Sequence, residues 1–277
     1  MRWRSSKERL VSEDGARPVT YSGYYGADSR PVRGVVPEEA VVTLVVNGQA
    51  VVNLMCTPTR LEDLALGFLF NEGLIDSLDE VAVVELCGNG QSVDIWLRHD
   101  IEIADVRAIT SGCSGGTTFG AAQEPPQRVQ SDLVITPEIV TRLMEMLSEA
   151  SSLYRRAGGV HTAALAVLDN DGSLICVAED IGRHNTLDKI TGAWLRAGRP
   201  TETPIVLTSG RVSSEMVSKV ARMGAPVIVS RTSPTSLSMQ LAQAAGITLI
   251  GYTRRRSFRV YAGEERLVIE PDPGSTN

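Results

Sequence analysis

An α/β protein in two parts is what the sequence predicts: a smaller N-terminal α+β unit made of hairpins, then a larger unit in which strands and helices alternate. Two patterns and the length support this. EEAVVTLVVNGQAVVNLMCT sets β-branched runs on either side of Asn47-Gly48, a hairpin signal because both turn residues tolerate positive φ. Further on, PIVLTS, APVIVS and ITLIGYT alternate with helical patterns, the βαβαβ order of a largely parallel sheet covered by helices. A length of 277 residues exceeds one ordinary core and suits two units.

In chain order, residues 1–35 are polar and rich in Arg, Gly and Tyr, without apolar periodicity, and are expected to form an extended arm. The small unit spans 36–109. After its first hairpin, Thr57-Pro58 or the Thr59-x-x-Glu62 capping box starts a helix with an apolar side of Leu61, Leu64, Leu66, Phe68 and Leu69 that stops near Gly73. VAVVELC and VDIWLR, joined by Gly88-Asn89-Gly90, form a second hairpin. Residues 110–135 contain TSGCSGGTTFGAAQEPPQRVQ, which has neither helical nor strand period and reads as a long loop or crossover of the functional kind.

The larger unit spans 136–270. Thr136 caps a helix with Ile139, Leu143, Met146 and Leu147 at helical spacing, closing before Gly158-Gly159. HTAALAVLDNDGSLICVAED makes a hairpin about Asp171-Gly172, and a helix from Arg183 carries Leu187, Ile190 and Trp194. Helices over 213–223 and 236–245 separate the later strands, and 271–277 form a tail.

Hydrophobic residues at 43% and charged residues at 22% describe an ordinary globular chain rather than a disordered one. No apolar run is long enough to cross a bilayer, and MRWRSSKERLVSEDG has no apolar h-region, so a cytoplasmic protein without a membrane partner is expected. A net charge of -6 argues against nucleic acid as a partner. Four widely separated cysteines without a CxxC pair read as reduced thiols.

Cys56, Cys87 and Cys176 have apolar neighbours and are expected to be buried and inert. Cys113 stands apart: Ser111-Gly112 and Ser114-Gly115-Gly116 around it leave the sulfur unshielded and backbone N–H groups free to stabilise a thiolate. The bland alternative is an exposed cysteine on a flexible loop. Three histidines and scattered cysteines lack the close ligand pairs of structural zinc, so no metal is assigned to protein ligands. No phosphate loop and no dinucleotide fingerprint occur.

Three strips could bind an anion. EDIGRHNTLDK gathers Asp180, Arg183 and His184 at a helix start, with His184 and Asp188 one turn apart; it suits either a ligand or a hydrogen-bonded structural hub. TSGRVSSEM places Ser209 and Arg211 between a strand end and a helix start, where parallel sheets bind ligands. Tyr252-Thr253-Arg254-Arg255-Arg256-Ser257 again follows a strand, and could equally be a solvated basic turn.

LMCTPTRLEDLALGFLFNEGLI, GGVHTAAL, EDIGRHNTLDKITG, LTSGRVSSEMVSKVARMGAPVIVSRTSPT and GYTRRRSFRVY resemble the FdhD/NarQ family of formate dehydrogenase accessory proteins, over roughly residues 36–262. The resemblance implies a sulfurtransferase with a cysteine persulfide intermediate. It would take sulfur from a cysteine desulfurase and pass it to the molybdenum cofactor, bis-molybdopterin guanine dinucleotide, before that cofactor enters the formate dehydrogenase catalytic subunit. It further implies a three-layer α/β/α C-terminal domain similar to the cytidine deaminase fold without its zinc motif, and commonly a homodimer. By position, Cys113 resembles the persulfide-carrying cysteine. Tyr252, Thr253, Arg254, Arg255, Arg256 and Ser257 resemble the cofactor strip, with His161, Asp180, Arg183, His184, Ser209 and Arg211 lining or bracing a guanine-nucleotide pocket for which GDP would serve as an analogue. Many relatives carry a second cysteine three residues after the first, where this chain has Gly116. That departure removes a local cysteine relay and leaves open the alternative of a cofactor-binding chaperone without sulfur transfer. A stand-alone hydrolase using His184 is a further alternative.

Overall fold

The fold is described by a computed structural model for residues 14–101, 107–109, 127–169, 171–255 and 257–269. Cys113, Gly116 and Arg256 lie outside these residues. The first unit contains β3 (Ala40–Val46), β4 (Gln49–Cys56), β5 (Val81–Cys87), β6 (Ser92–Leu97) and β7 (Arg107–Ile109), in the order β5-β6-β3-β4-β7. Asn47 and Gly48 both hold positive φ between β3 and β4, as the turn residues require. Helix α1 (Leu61–Asn71) packs against this sheet and is buried on almost every side. Its first turn differs from expectation: Arg60 occupies the N-cap in a left-handed conformation, with no side-chain cap.

Part of the segment expected to form an arm without packed elements instead forms a hairpin, β1 (Ala16–Tyr25) and β2 (Asp28–Pro37), with ten paired positions and no third strand among the described residues. Its glycines and prolines hide the strand pattern in the sequence.

The larger unit has a six-stranded sheet ordered β13-β12-β11-β10-β8-β9. Its strands are β8 (His161–Val167), β9 (Ser173–Asp180), β10 (Ile205–Thr208), β11 (Val227–Ser230), β12 (Thr248–Arg254) and β13 (Ser257–Ala262). β10, β11 and β12 run parallel, while β8 and β13 join antiparallel on either side. The sheet is therefore mixed, and β13 arises from a segment the alternation did not include. Every residue of β10 and β11 is buried, as expected for central strands covered on both faces. One face packs against α2 (Pro137–Ala150), which is capped by Thr136 as predicted and leads into α3 (Ser152–Ala157). The other face lies under α4 (Arg183–Arg196), α5 (Ser214–Arg222) and α6 (Ser236–Ala245).

That second layer is continuous with the core of the first unit, because α1 lies directly on α4. Glycines make this approach possible. A Cβ on Gly67 would sit 1.8 Å from the Asp188 carbonyl oxygen, and one on Gly192 would sit 1.9 Å from that of Asp63. Any side chain at either position would force the helices apart. Among the described residues, no helix is long and apolar enough to cross a membrane.

Candidate functional site

The segment EDIGRHNTLDK lies where the two units meet, and most of its charge is structural. Asp180 and Lys189 are fully buried 2.7 Å apart. Asp180 also accepts hydrogen bonds from the backbone N–H of Thr57 and Gly182 and from the Asn185 amide. Lys189 donates to the carbonyl oxygens of Thr57 and Glu179 and to the Thr59 hydroxyl. The residue before Lys189, Asp188, binds Lys219 through both oxygens at 2.9 Å and accepts from Asn71. Burial alone would lower the pKa of Lys219, but Asp188, Glu72 and Glu215 raise it, so the ammonium is retained. Asp180, Lys189, Asp188 and Lys219 are all paired, which is the condition under which buried charge is tolerated. Asp180 thus belongs to the frame between the units, and the structural-hub reading of this strip describes it.

His184 belongs to the same frame. Its Nε2 lies 3.1 Å from the Ser213 hydroxyl and 3.6 Å from Glu215. Burial, reinforced by Lys219, Arg183 and His161, pushes its pKa down to about 3. The ring is neutral at physiological pH and does not line the cleft described below.

Functional geometry appears at the carboxyl ends of the parallel strands. Ser209 follows β10 and is latched to β8 by two hydrogen bonds: its N–H donates to the Thr162 carbonyl, and its hydroxyl accepts from the Thr162 N–H. Its Oγ lies 3.5 Å from His161 Nδ1. The loops after β10 and β11 brace each other through Ser230, which donates to the Gly210 carbonyl at 2.7 Å. Gly210 is needed for close approach, since a Cβ there would lie 2.9 Å from Arg183 Cβ. Arg183 is 8% exposed, and its Nε has no hydrogen-bond partner among the described residues. Burial lowers the His161 pKa, with Arg183 and Arg211 adding to the shift, so this corner presents a neutral imidazole beside guanidinium groups.

His161, Thr162, Ser209, Arg231, Thr232 and Arg254 line a cleft of about 460 Å³, closed on the other side by α2 and α3. Ser148, Arg231 and Arg254 are shared with an adjoining cleft of about 830 Å³, which adds Thr253, Arg255, Glu145 and Glu149. The Arg254 guanidinium donates to the Arg231 carbonyl at 2.6 Å, and that of Arg231 reaches the Ser148 hydroxyl at 3.4 Å. Thr253 is 2% exposed, yet its hydroxyl has no hydrogen-bond partner among the described residues. An unsatisfied buried hydroxyl beside three guanidinium groups is a place for ligand oxygen.

The structure therefore brings together His161, Ser209, Thr253, Arg254 and Arg255 along one joined cleft, with Arg183 and Arg211 beside its His161 corner. Tyr252 stands apart, with the Arg259 guanidinium 4.5 Å from its ring, and Ser257 opens β13. Arg231 was missed by sequence reasoning although it directly follows β11, the same signal that selects Ser209 and Arg254. Ser148 was missed because it lies inside the last turn of α2, where nothing local marks it. Of the thiols expected to be buried, Cys56 is, with burial first and Asp180 next pushing its pKa to about 12. Cys87 and Cys176 are only half-buried, because Cys87 ends an edge strand and Cys176 lies on the edge strand β9. Among the described residues, no three His, Cys, Asp or Glu side chains gather as a metal site.

The comparisons agree with one another. The model of the FdhD/NarQ family matches residues 37–268. The sulfur carrier protein FdhD of Shouchella clausii is 34% identical over 244 residues, covering 85% of this chain and 90% of the relative. That of Bacillus licheniformis is 37% identical over 236 residues, covering 83% and 88%. A crystal structure from Desulfotalea psychrophila, described as a formate dehydrogenase accessory protein, superposes with a TM-score of 0.78 at 27% identity, covering 92% of this chain and 100% of that one. With most of its length matched in sequence and in fold, the chain belongs to the FdhD/NarQ family.

Proposed function

We propose that this protein is a sulfur carrier serving formate dehydrogenase. Cys113 accepts the outer sulfur of a desulfurase persulfide and passes it to a molybdenum cofactor held at the arginine cleft. The names of its relatives support the general role. The observation that carries the cofactor half of the reading is the meeting of Arg231, Arg254 and Arg255 over joined clefts whose volumes suit a large ligand. Guanidinium forks at strand ends match phosphate oxygens. The pyrophosphate of a guanine dinucleotide, with GDP as its analogue, fits that chemistry. Ser209, His161 and Thr253 supply directional hydrogen bonds beside it.

In the sulfur step, the Cys113 thiolate attacks the outer sulfur of the donor persulfide. A new S–S bond forms, the donor's S–S bond breaks, and the desulfurase leaves as its own thiolate. No second cysteine is needed for this, so Gly116 is compatible with it. The molybdenum cofactor is cargo in this reading. The larger unit's sheet with helices on both faces accords with a cytidine-deaminase-like arrangement, which we retain as part of the proposal together with a cytoplasmic location.

Incubation with a cysteine desulfurase and cysteine, followed by mass spectrometry, tests the reading. Cys113 should gain the mass of one sulfur atom, and Cys113→Ala should abolish the gain while sparing GDP binding. A wild-type protein that binds GDP but never gains sulfur would leave the cofactor-chaperone role in its place.

A further inference from the structure

The larger of the two joined clefts has walls of opposite sign. On the strand-end wall stand Arg231, Arg254 and Arg255; on the helix wall stand Glu145 and Glu149. Burial of Val140, Leu143, Met144 and Leu147 against the sheet fixes the phase of α2 and turns the two glutamates outward, one helical turn apart. Among the described residues, none of the three guanidinium groups forms an ion pair with either carboxylate. Nearby Arg155 spends its donors on the backbone carbonyls of Ser148 and Glu149. Like charges at this helical spacing repel, and nothing on the protein relieves them. Between the walls lies a space of about 830 Å³, bridged where Arg231 reaches the Ser148 hydroxyl at 3.4 Å.

A slot polarised in this way selects a ligand that carries anionic oxygens at one end and a row of N–H donors at the other. The unpartnered Thr253 hydroxyl, 2% exposed and lining the same slot, independently marks it as a place where a ligand atom sits. Among nucleobases, guanine alone offers N1–H and a 2-amino group side by side, three donors on one flat edge. Two carboxylates one turn apart can share them. Hypoxanthine lacks the amino group. Adenine presents the N1 lone pair where N1–H is needed, which sets an acceptor against a carboxylate and leaves both without a partner.

We propose that Glu145 and Glu149 are the residues that read the base: with the phosphates on Arg231 and Arg254, they accept the N1–H and 2-amino donors of guanine and make the slot specific for guanine nucleotides. This rests on the reading that a nucleotide's phosphates lie at the arginine wall, and is independent of the sulfur step. The arginines supply affinity for any diphosphate. Discrimination comes from α2, whose negative charge disfavours a bare anion and favours one that brings its own donors.

The test is calorimetry of the full-length chain with GDP, IDP, ADP and inorganic pyrophosphate, each with EDTA present. The wild type should prefer GDP to IDP by about tenfold and to ADP by about a hundredfold. The double variant Glu145→Ala with Glu149→Ala, both on the exposed side of α2, should bring GDP down to the level of ADP. It should bind pyrophosphate as tightly as the wild type or more tightly, because two repelling charges have gone; a merely structural role for the glutamates would weaken both ligands together. Circular dichroism checks that the variant folds. Equal affinity of the wild type for GDP and ADP, a preference that survives in the double variant, parallel loss of GDP and pyrophosphate, or a preference that appears only when magnesium replaces EDTA would each overturn the proposal. A wild type that binds neither GDP nor pyrophosphate would overturn the cofactor reading along with it.

Discussion

Lys189 reaches from α4 to the carbonyl oxygen of Thr57 at 2.8 Å while holding Asp180 at 2.7 Å, so one buried ammonium ties the strand-to-helix turn of the first unit to the sheet of the second. Removing it would leave Asp180 charged and fully enclosed. Lys189→Met should cost about 3–5 kcal/mol, read as a lowered denaturation midpoint with both units still unfolding together. Adding Asp180→Leu should restore part of the loss, since the desolvated carboxylate goes with it.

Gly67 and Gly192 should tolerate no larger residue. Either Gly→Ala change places a methyl within 2 Å of a facing carbonyl oxygen. A loss of about 1–3 kcal/mol or more is expected even though alanine favours a helix intrinsically. A melting temperature equal to wild type in Gly67→Ala would contradict this close helix contact.

The neutral ring of His184 sets an acid limit on stability. Its folded pKa lies near 3, below its ordinary value of 6.5, so between those values the unfolded chain binds a proton that the folded chain does not. Stability should therefore fall as pH drops from about 6.5 toward 3, at up to about 1.4 kcal/mol per pH unit from this group. His184→Gln should flatten that part of the profile in denaturant titrations run at several pH values.

The cleft can be probed without turnover. Arg254→Ala and Arg231→Ala should each weaken GDP binding by about tenfold or more, the scale of a charged hydrogen bond, and calorimetry would measure it. Thr253→Val keeps the shape and removes only the buried hydroxyl. It should leave the unliganded protein at least as stable as wild type and weaken GDP binding several-fold; unchanged affinity would mean that hydroxyl meets no ligand.

The hairpin about Asn47-Gly48, the helix behind Thr136 and the alternation through β10, β11 and β12 were legible because each rests on local patterns, a turn pair, a cap or a period. The hairpin of residues 16–37 was not, because Gly23, Gly34, Pro18 and Pro31 interrupt the pattern and its register exists only in pairing. The fate of EDIGRHNTLDK turns on the same distinction. Its density of charge was visible, but whether Asp180 meets ligand or lysine depends on Thr57, more than a hundred residues earlier. Ser209 and Arg254 were found by the strand-end rule, while Arg231, at the end of the strand between theirs, was passed over for lack of a neighbouring charge cluster.

Since the backbones of α1 and α4 touch at Gly67 and Gly192, the two units have no slack in which to rock. The spacing between the arginine cleft and the first sheet is then set through the seating of α1 on α4. A change in the spacing of the two sheets would have to break this backbone contact first.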